Sequence, residues 1–275
     1  MKLSFIEPRI ELEPYIQSIW VFESAVGLPS SDISLAAPNG SAKLIFNSEN
    51  SLTTTVLGRH HQSEEQNLYF VGMRDVPVVL SSPSKKTCFI GIEFRPSGAY
   101  PILGFPMEEL TNRRLNADEL SGIWSRSCTE WIRNLEGIPA KIDFIQGRLL
   151  HSLRHGQSQN AIVQCCVDYL KLTNGAASIR DLELRTGYER RHLENLFSSN
   201  VGVSPKTLSR IFRFQWFYKK WARVPSFERL KEDVHEYFYD EAHFNKEFKR
   251  MTGFSPKHFF LKVSNQFGRQ LSLPH

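Results

Sequence analysis

The hydrophobic pattern changes character along the chain. Over the first 95 residues, short runs rich in Ile, Val, Phe, Tyr and Thr alternate with Pro, Gly, Asn and Ser clusters. The runs lie at 15–22, 42–46, 53–57, 68–71, 76–80 and 87–94. Short runs with regular turn punctuation predict β-strands in a compact barrel or sandwich. Beyond Arg95 the apolar spacing turns helical, with Leu120, Ile123, Trp124, Trp131 and Leu135 in 118–135 and a second stretch at 140–153. His155–Asn160 is polar, contains Gly156, and reads as a linker. From Ala161 onward every periodic segment is helical. The expected fold class is α+β and multidomain: a β-rich, barrel- or sandwich-like domain with trailing helices over 1–157, then an all-α domain over 158–275.

The all-α part repeats itself. His192-Leu193, Phe197, Gly202 and Ser204-Pro205-Lys206 recur 51 residues later as His243-Phe244, Phe248, Gly253 and Ser255-Pro256-Lys257, and Tyr188 pairs with Tyr239. Each unit has a physical reading. Leu or Phe four residues before Phe puts both on one buried helix face. Glycine then ends the helix in a left-handed turn, and Ser-Pro starts the next, Ser as N-cap and Pro in the first helical position. Upstream, Ser178 is a further N-cap candidate ahead of Ile179, Leu182 and Leu184, and Gly187 allows a tight turn into a helix at 189–200. This is the geometry of a helix–turn–helix, whose second helix enters the DNA major groove. A generic helical hairpin is the alternative; the turn glycine, the Arg190-Arg191 pair and the duplication favour DNA. The predicted elements are a first helix–turn–helix at 178–200, a linker helix at 204–222 and a second helix–turn–helix at 226–252.

Charge points the same way once it is divided. The net charge of +5 decides nothing, but residues 1–157 carry −2 and residues 158–275 carry +7. Within the latter, 185–223 holds nine basic residues (Arg185, Arg190, Arg191, Lys206, Arg210, Arg213, Lys219, Lys220, Arg223) against Glu189 and Glu194. Clustered cations beside a helical pattern suit a phosphate-binding face, although a solvated helix face would give the same count. No uncharged apolar run approaches the ~20 residues of a membrane span. Leu3–Ile6, cut short by Glu7, Pro8 and Arg9, is too brief for a signal-peptide core. The four cysteines form no CxxC pair or disulfide framework, which fits a reducing cytoplasm.

Several longer motifs carry a family resemblance. They are Gly187-Tyr188, Leu196-Phe197, Gly202-Val203-Ser204-Pro205, Arg210-Ile211-Phe212-Arg213-Phe214-Gln215, and Tyr239-Asp240-Glu241-Ala242-His243-Phe244 with Glu247-Phe248-Lys249-Arg250 and Gly253-Phe254-Ser255-Pro256. Over about 160–263 the chain resembles the DNA-binding domain of AraC/XylS-type transcriptional regulators. That family joins two motifs by a long helix. At about 1.5 Å per residue, 204–222 would span roughly 28 Å, close to the ~34 Å of one DNA turn. The N-terminal pieces Leu12-x-Pro14-Tyr15-Ile16, Trp20, Pro38-Asn39-Gly40, Leu44-Ile45-Phe46-Asn47, Phe94-Arg95-Pro96-Ser97-Gly98-Ala99, Gly104-Phe105-Pro106 and Glu109-Leu110 are similar to a domain found ahead of this module in a subset of such regulators. The resemblance implies a cytoplasmic bacterial transcription factor and not an enzyme. Its partner would be double-stranded promoter DNA, with room for RNA polymerase, a small-molecule effector and a homodimer. No cofactor is implied, and the first domain would sense a signal or mediate dimerisation.

By the same resemblance the base-reading positions are Arg190, Arg191, Glu194 and Asn195 in the first motif, and Glu241, Ala242, Asn245 and Lys246 in the second. Arg suits guanine, Asn adenine, and Glu the amino group of cytosine. Lys206, Arg210, Lys249, Arg250 and Lys257 suit phosphate contacts, which position the protein without specifying sequence. His192 and His243 are expected at a helix–helix seam. Two departures stand out. Glu183 sits where the family has a small residue. The segment Ser226–Tyr237, which should be an apolar supporting helix, carries four acidic and two basic residues and has Tyr237 in place of the turn glycine. Residues 224–275 are nearly neutral at +1. The first motif is therefore expected to carry most of the affinity; a degenerate regulator acting by protein–protein contact is the alternative.

Other chemistry finds little support. His60-His61 and His151/His155 lack further ligands at metal spacing, and adjacent Cys165 and Cys166 point about 100° apart on a helix, so at least one is expected in the core. There is no P-loop, dinucleotide fingerprint or nucleophile elbow, and nothing supports a fused barrel enzyme. Glu93 and Arg95 are expected to form a structural ion pair. The aromatics at 212–221 are expected in the core, with Trp221 offered to the N-terminal domain.

Overall fold

The computed structural model describes residues 1–120, 124–223, 238 and 240–272. The first part contains β1 (Lys2–Ile6), β2 (Ile16–Ser24), β3 (Leu35–Ala36), β4 (Lys43–Glu49), β5 (Leu52–Val56), β6 (Arg59–Ser63), β7 (Asn67–Val71), β8 (Val78–Ser81), β9 (Thr87–Phe94) and β10 (Arg114–Asn116). They form two antiparallel sheets, β1-β2-β9-β4-β7-β10 and β3-β8-β5-β6. Helices α1 (Ala99–Leu103), α2 (Arg126–Asn134) and α3 (Ile138–His155) follow. This is the sandwich-like β-rich arrangement with accompanying helices that the pattern predicts.

Strand alternation explains the layering. In β4, Leu44 and Phe46 face a core shared with Ile90, Ile92, Phe70, Ile142, Ile145 and Leu149, so one face of the larger sheet packs on helices. The other face, carrying Trp20, Phe22, Phe89 and Ile45, looks toward the smaller sheet. Central strand β9 is consequently buried at every position, which is why Cys88–Ile92 reads as a nearly continuous apolar stretch, with buried Glu93 beyond it matched by Lys43 and Asn39.

Four strands escape the hydrophobic pattern. Arg59–Ser63 is polar and mostly exposed because β6 is a sheet edge. β1 and β10 are also edges, and β3 has only two residues. The helix expected over 118–135 begins later: Asn116 and Glu119 close a capping box around a 3₁₀ turn at Ala117–Glu119, and α2 starts at Arg126. Ile123 lies outside the described residues. Trp131, assigned to the buried stripe, is 64% exposed.

The remaining described elements are helices: α4 (Ala161–Leu172), α5 (Ile179–Thr186), α6 (Arg190–Val201), α7 (Pro205–Arg223), α8 (Glu241–Thr252), α9 (Pro256–Lys262) and α10 (Gln266–Ser272). One apolar cluster joins α4, α5, α6 and the start of α7; a second joins the rest of α7 with α8 and α9. Both clusters admit an N-terminal residue: Met73 is buried in the first, and Ala37 packs against the second.

Candidate nucleic-acid interface

Local chemistry sets the first motif. Ser178 caps α5, accepting the Asp181 N–H, while Asp181 accepts from the Ser178 N–H and hydroxyl; these bonds hold its carboxyl below the usual range. Gly187 turns the chain at φ 73°. Leu193 and Phe197 are fully buried, and α6 ends at Gly202 with φ 92°. The second unit repeats the construction: Phe244 and Phe248 are buried, Gly253 has φ 83°, and Ser255 caps α9 ahead of Pro256. The 51-residue repeat is thus a repeat of helix, left-handed glycine and capped helix. Its Tyr239 member and the whole of 226–237, including the expected supporting helix, lie outside the described residues.

Burying one face of α6 presents the opposite face to solvent. Arg190, Arg191 and Asn195 are exposed, and Glu194 is half-buried. Arg190 donates from Nε to Glu194 Oε1 at 2.8 Å, an i,i+4 pair that raises its pKa. Arg191 makes no ion pair among the described residues. Glu183 serves the start of α6, where its Oε1 accepts the Arg190 backbone N–H at 2.7 Å. Glu189, the N-cap residue of α6, makes no side-chain cap, so the residue that departs from the family pattern satisfies an otherwise orphan helix donor. On α8, Glu241, Ala242, Asn245, Lys246 and Lys249 are exposed. Asp240 caps that helix by accepting the His243 N–H.

The basic block of 185–223 divides into internal and external charges. Arg210 grips Glu247 of α8 with two bonds, 2.6 Å from Nε and 2.5 Å from Nη2. Arg213 donates to the Gly175 carbonyl at 2.7 Å, and burial lowers its pKa. Arg185 lies 4.4 Å from the Tyr169 ring centroid. Lys206 and Lys257 are exposed. Arg250 reaches the N-terminal part, donating to Asp75 Oδ2 at 2.8 Å. Of the five phosphate candidates, Arg210 is therefore committed to joining the two motifs and Arg250 to an interdomain pair.

Other positions need correction. His192 is exposed and stacks on Tyr188, with centroids 4.6 Å apart, because it falls on the solvent face of α6 and not at a seam. His243 is half-buried beside Phe238. Glu93 and Arg95 do not pair: Glu93 faces Lys43 and Asn39, and Arg95 donates to the Glu13 carbonyl. The ring contacts of Trp221 are with Tyr218, Phe259 and Phe260, inside the helical part. Phe212 is an aromatic residue of α7 that does meet an N-terminal loop: a Cβ on Gly40 would lie 3.1 Å from its ring. Cys166 is buried and Cys165 exposed, as their angular separation requires.

The N-terminal motifs gather where the helices dock. The Pro38 carbonyl accepts from Gln215 of α7 at 2.7 Å. Ser97 donates to Gln164 of α4 at 2.6 Å. Thr111 donates to the Gly202 carbonyl at the end of α6, where a Cβ would strike Met107. Pattern reading missed the last docking element. Asp32 accepts the backbone N–H groups of Gln266 and Phe267 and so caps α10, and Asn265 pairs both ways with the Leu35 backbone. Only the polarity of Asp32 and Asn265 beside short apolar stretches hinted at this.

A family profile described as a domain of unknown function, DUF6597, matches residues 4–116. No curated protein matches the chain. Among solved structures, apo ToxT K231A from Vibrio cholerae is similar at 11% identity and a TM-score of 0.46, covering 89% of this chain and 97% of that one. Wild-type ToxT from the same organism, bound to an unsaturated fatty acid, gives 11% identity and a TM-score of 0.46, with 94% and 98% covered. The Clostridium difficile EutQ protein, at 13% identity and a TM-score of 0.26, covers 34% of this chain and 66% of that one.

Proposed function

We propose that the chain is a sequence-specific DNA-binding transcription factor, divided near residue 157. A C-terminal reader would address promoter DNA, and an N-terminal domain would receive a signal or mediate dimerisation. The observation that carries this reading is the exposed face of α6, where Arg190, Arg191, Glu194 and Asn195 stand together on a helix whose other face is buried and whose entry turn is a left-handed glycine. Arg191 and Asn195 are the base readers in this proposal, and Lys206 is the phosphate contact. Arg190 and Glu194 orient each other and remain within reach of base edges. In the second motif Asn245 and Lys246 keep reading positions and Lys249 and Lys257 phosphate positions, while Asp240 and Glu241 place negative charge at the start of α8, where a phosphate would be repelled.

Selection of bound sequences from a random DNA pool tests this. The expected result is an enriched motif bound with a steep salt dependence and a large ratio of specific to non-specific affinity. Enrichment of no sequence would favour a regulator acting through protein contact.

A further inference from the structure

Between the two sheets lies a cavity of about 90 Å³, several times the ~10–15 Å³ that one water requires. Its body is apolar: Ile45, Leu52, Val78, Leu80 and Phe89 come from the sheets, and Phe267 comes from α10. Four of its polar side chains, Trp20, Lys43, Arg74 and Arg114, can only donate hydrogen bonds. Trp20 and Ser41 are each 4% exposed and line the space, and Trp20 Nε1 and Ser41 Oγ are buried without a hydrogen-bond partner. Trp20 stands opposite Gly91 in the β2–β9 register, and its indole occupies the place a Cβ there would need. A buried N–H with no acceptor leaves its desolvation penalty uncompensated, so such an atom marks a place where an acceptor is expected.

Arg74 and Arg114 line this cavity and also the outer cleft beside it, which Arg59, His61 and Arg113 complete. Among the described residues no aspartate or glutamate lines either space, and neither Arg74 nor Arg114 has an ion-pair partner. Arg114 donates to Ser63 and to the Gln62 carbonyl, and stacks on Tyr69. Arg74 has one long bond, 3.4 Å to the Asn112 carbonyl. Burial, with repulsion from Arg114, pushes Arg74 down to about 10, and burial also lowers Arg114. Lys43, on the same wall, is already matched by Glu93 and Asn39. Glu119 acts on Arg114 without a direct ion pair, so two partly buried guanidiniums with no bonded carboxylate, lining an apolar space that contains an orphan indole donor, form half of an ion-pair site.

We propose that this cavity binds a small organic carboxylate, its head held by Arg74 and Arg114 and its apolar body enclosed by the sheets and Phe267. As the signal of a regulator, such a ligand rests on the function proposed above; its binding does not, and the test uses no DNA. Thermal unfolding and titration calorimetry of the full chain with benzoate, hexanoate and cyclohexanecarboxylate, each against its neutral amide, provide the measurement. At least one carboxylate should raise the melting temperature and bind at least ten-fold more tightly than its amide. It should also shift the indole N–H resonance that disappears in Trp20→Phe. Arg74→Gln and Arg114→Gln should each reduce carboxylate affinity at least five-fold, and Arg74→Lys should retain part of it, with circular dichroism confirming that the variants fold. Carboxylates no better than their amides across the panel, or equal binding by the double glutamine variant, would overturn the proposal.

Discussion

Arg210 of α7 and Glu247 of α8 form a two-bonded ion pair, with Glu247 9% exposed at its side chain. Both residues belong to the segments that resemble the regulator family, yet the pair faces inward. It fixes α8 against α7, and hence the spacing of the two motifs along a helix of roughly 28 Å.

Removing one partner should expose that role. Glu247→Ala leaves a guanidinium half-buried without its carboxylate, a change expected to cost about 3 kcal/mol. Denaturant unfolding should show this loss. A double variant, Arg210→Met with Glu247→Leu, should recover most of it, because the pair is then replaced by apolar side chains. A loss below about 0.5 kcal/mol for the single variant would place the pair among ordinary surface bridges.

The segment Met73-Arg74-Asp75 joins three things in three residues. Met73 is buried in the core of the first motif, Arg74 lines the cavity, and Asp75 holds Arg250 of α8. Asp75→Asn should speed amide exchange in Glu241–Thr252 while leaving Arg190–Val201 unchanged. Met73→Ala should have the complementary effect on the first motif and cost about 2–5 kcal/mol. Identical exchange patterns in the two variants would show that the segment does not divide its contacts in this way.

Thiol chemistry gives a check with a definite pH sense. Burial pushes Cys88 and Cys166 up to about 11, whereas Cys165 is exposed. The thiolate is the reactive form, so at pH 8 an alkylating reagent should label Cys165 well before Cys88 or Cys166. Labelling of the buried pair should rise toward pH 11 or on unfolding. Peptide mass spectrometry showing early modification of Cys166 would contradict the packing of α4.

Acid should act on the first motif through Asp181. Its folded-state pKa is depressed by the Ser178 N–H and hydroxyl, so its contribution is present above the unfolded pKa and is lost as pH falls through the folded one. Below about pH 4 the start of α5 should fray. Asp181→Asn should remove that pH dependence from the exchange rates of α5 amides; an unchanged profile would assign the acid sensitivity elsewhere.

What the sequence made legible follows from the range of the interactions. Glycine and serine act locally, so Gly187, Gly202, Gly253, Ser178 and Ser255 could be placed from their neighbours alone. Buried aliphatic periodicity found β2, β4, β5, β7, β8 and β9 for the same reason. Edge strand β6 was silent because its residues are solvated. The solvent-exposed face of α6 could be anticipated because Leu193 and Phe197 dictate which side is buried. The fates of Arg210, Arg213 and Arg250 could not, because their partners Glu247, Gly175 and Asp75 lie 37, 38 and 175 residues away in the chain. A count of basic residues sees nine cations; only the fold shows which of them are already used.

That α6 reads DNA, and that the first motif dominates, is tested most directly by fluorescence anisotropy of the selected operator with two charge-reversal variants, Arg190→Glu/Arg191→Glu and Lys246→Glu/Lys249→Glu. A base contact is worth about 1–3 kcal/mol, or roughly 5- to 150-fold in affinity. The first variant should lose at least that much and lose sequence preference with it, while the second should lose several-fold less and keep the preference. Equal losses in the two variants, or specific binding that survives reversal at Arg190 and Arg191, would contradict the account.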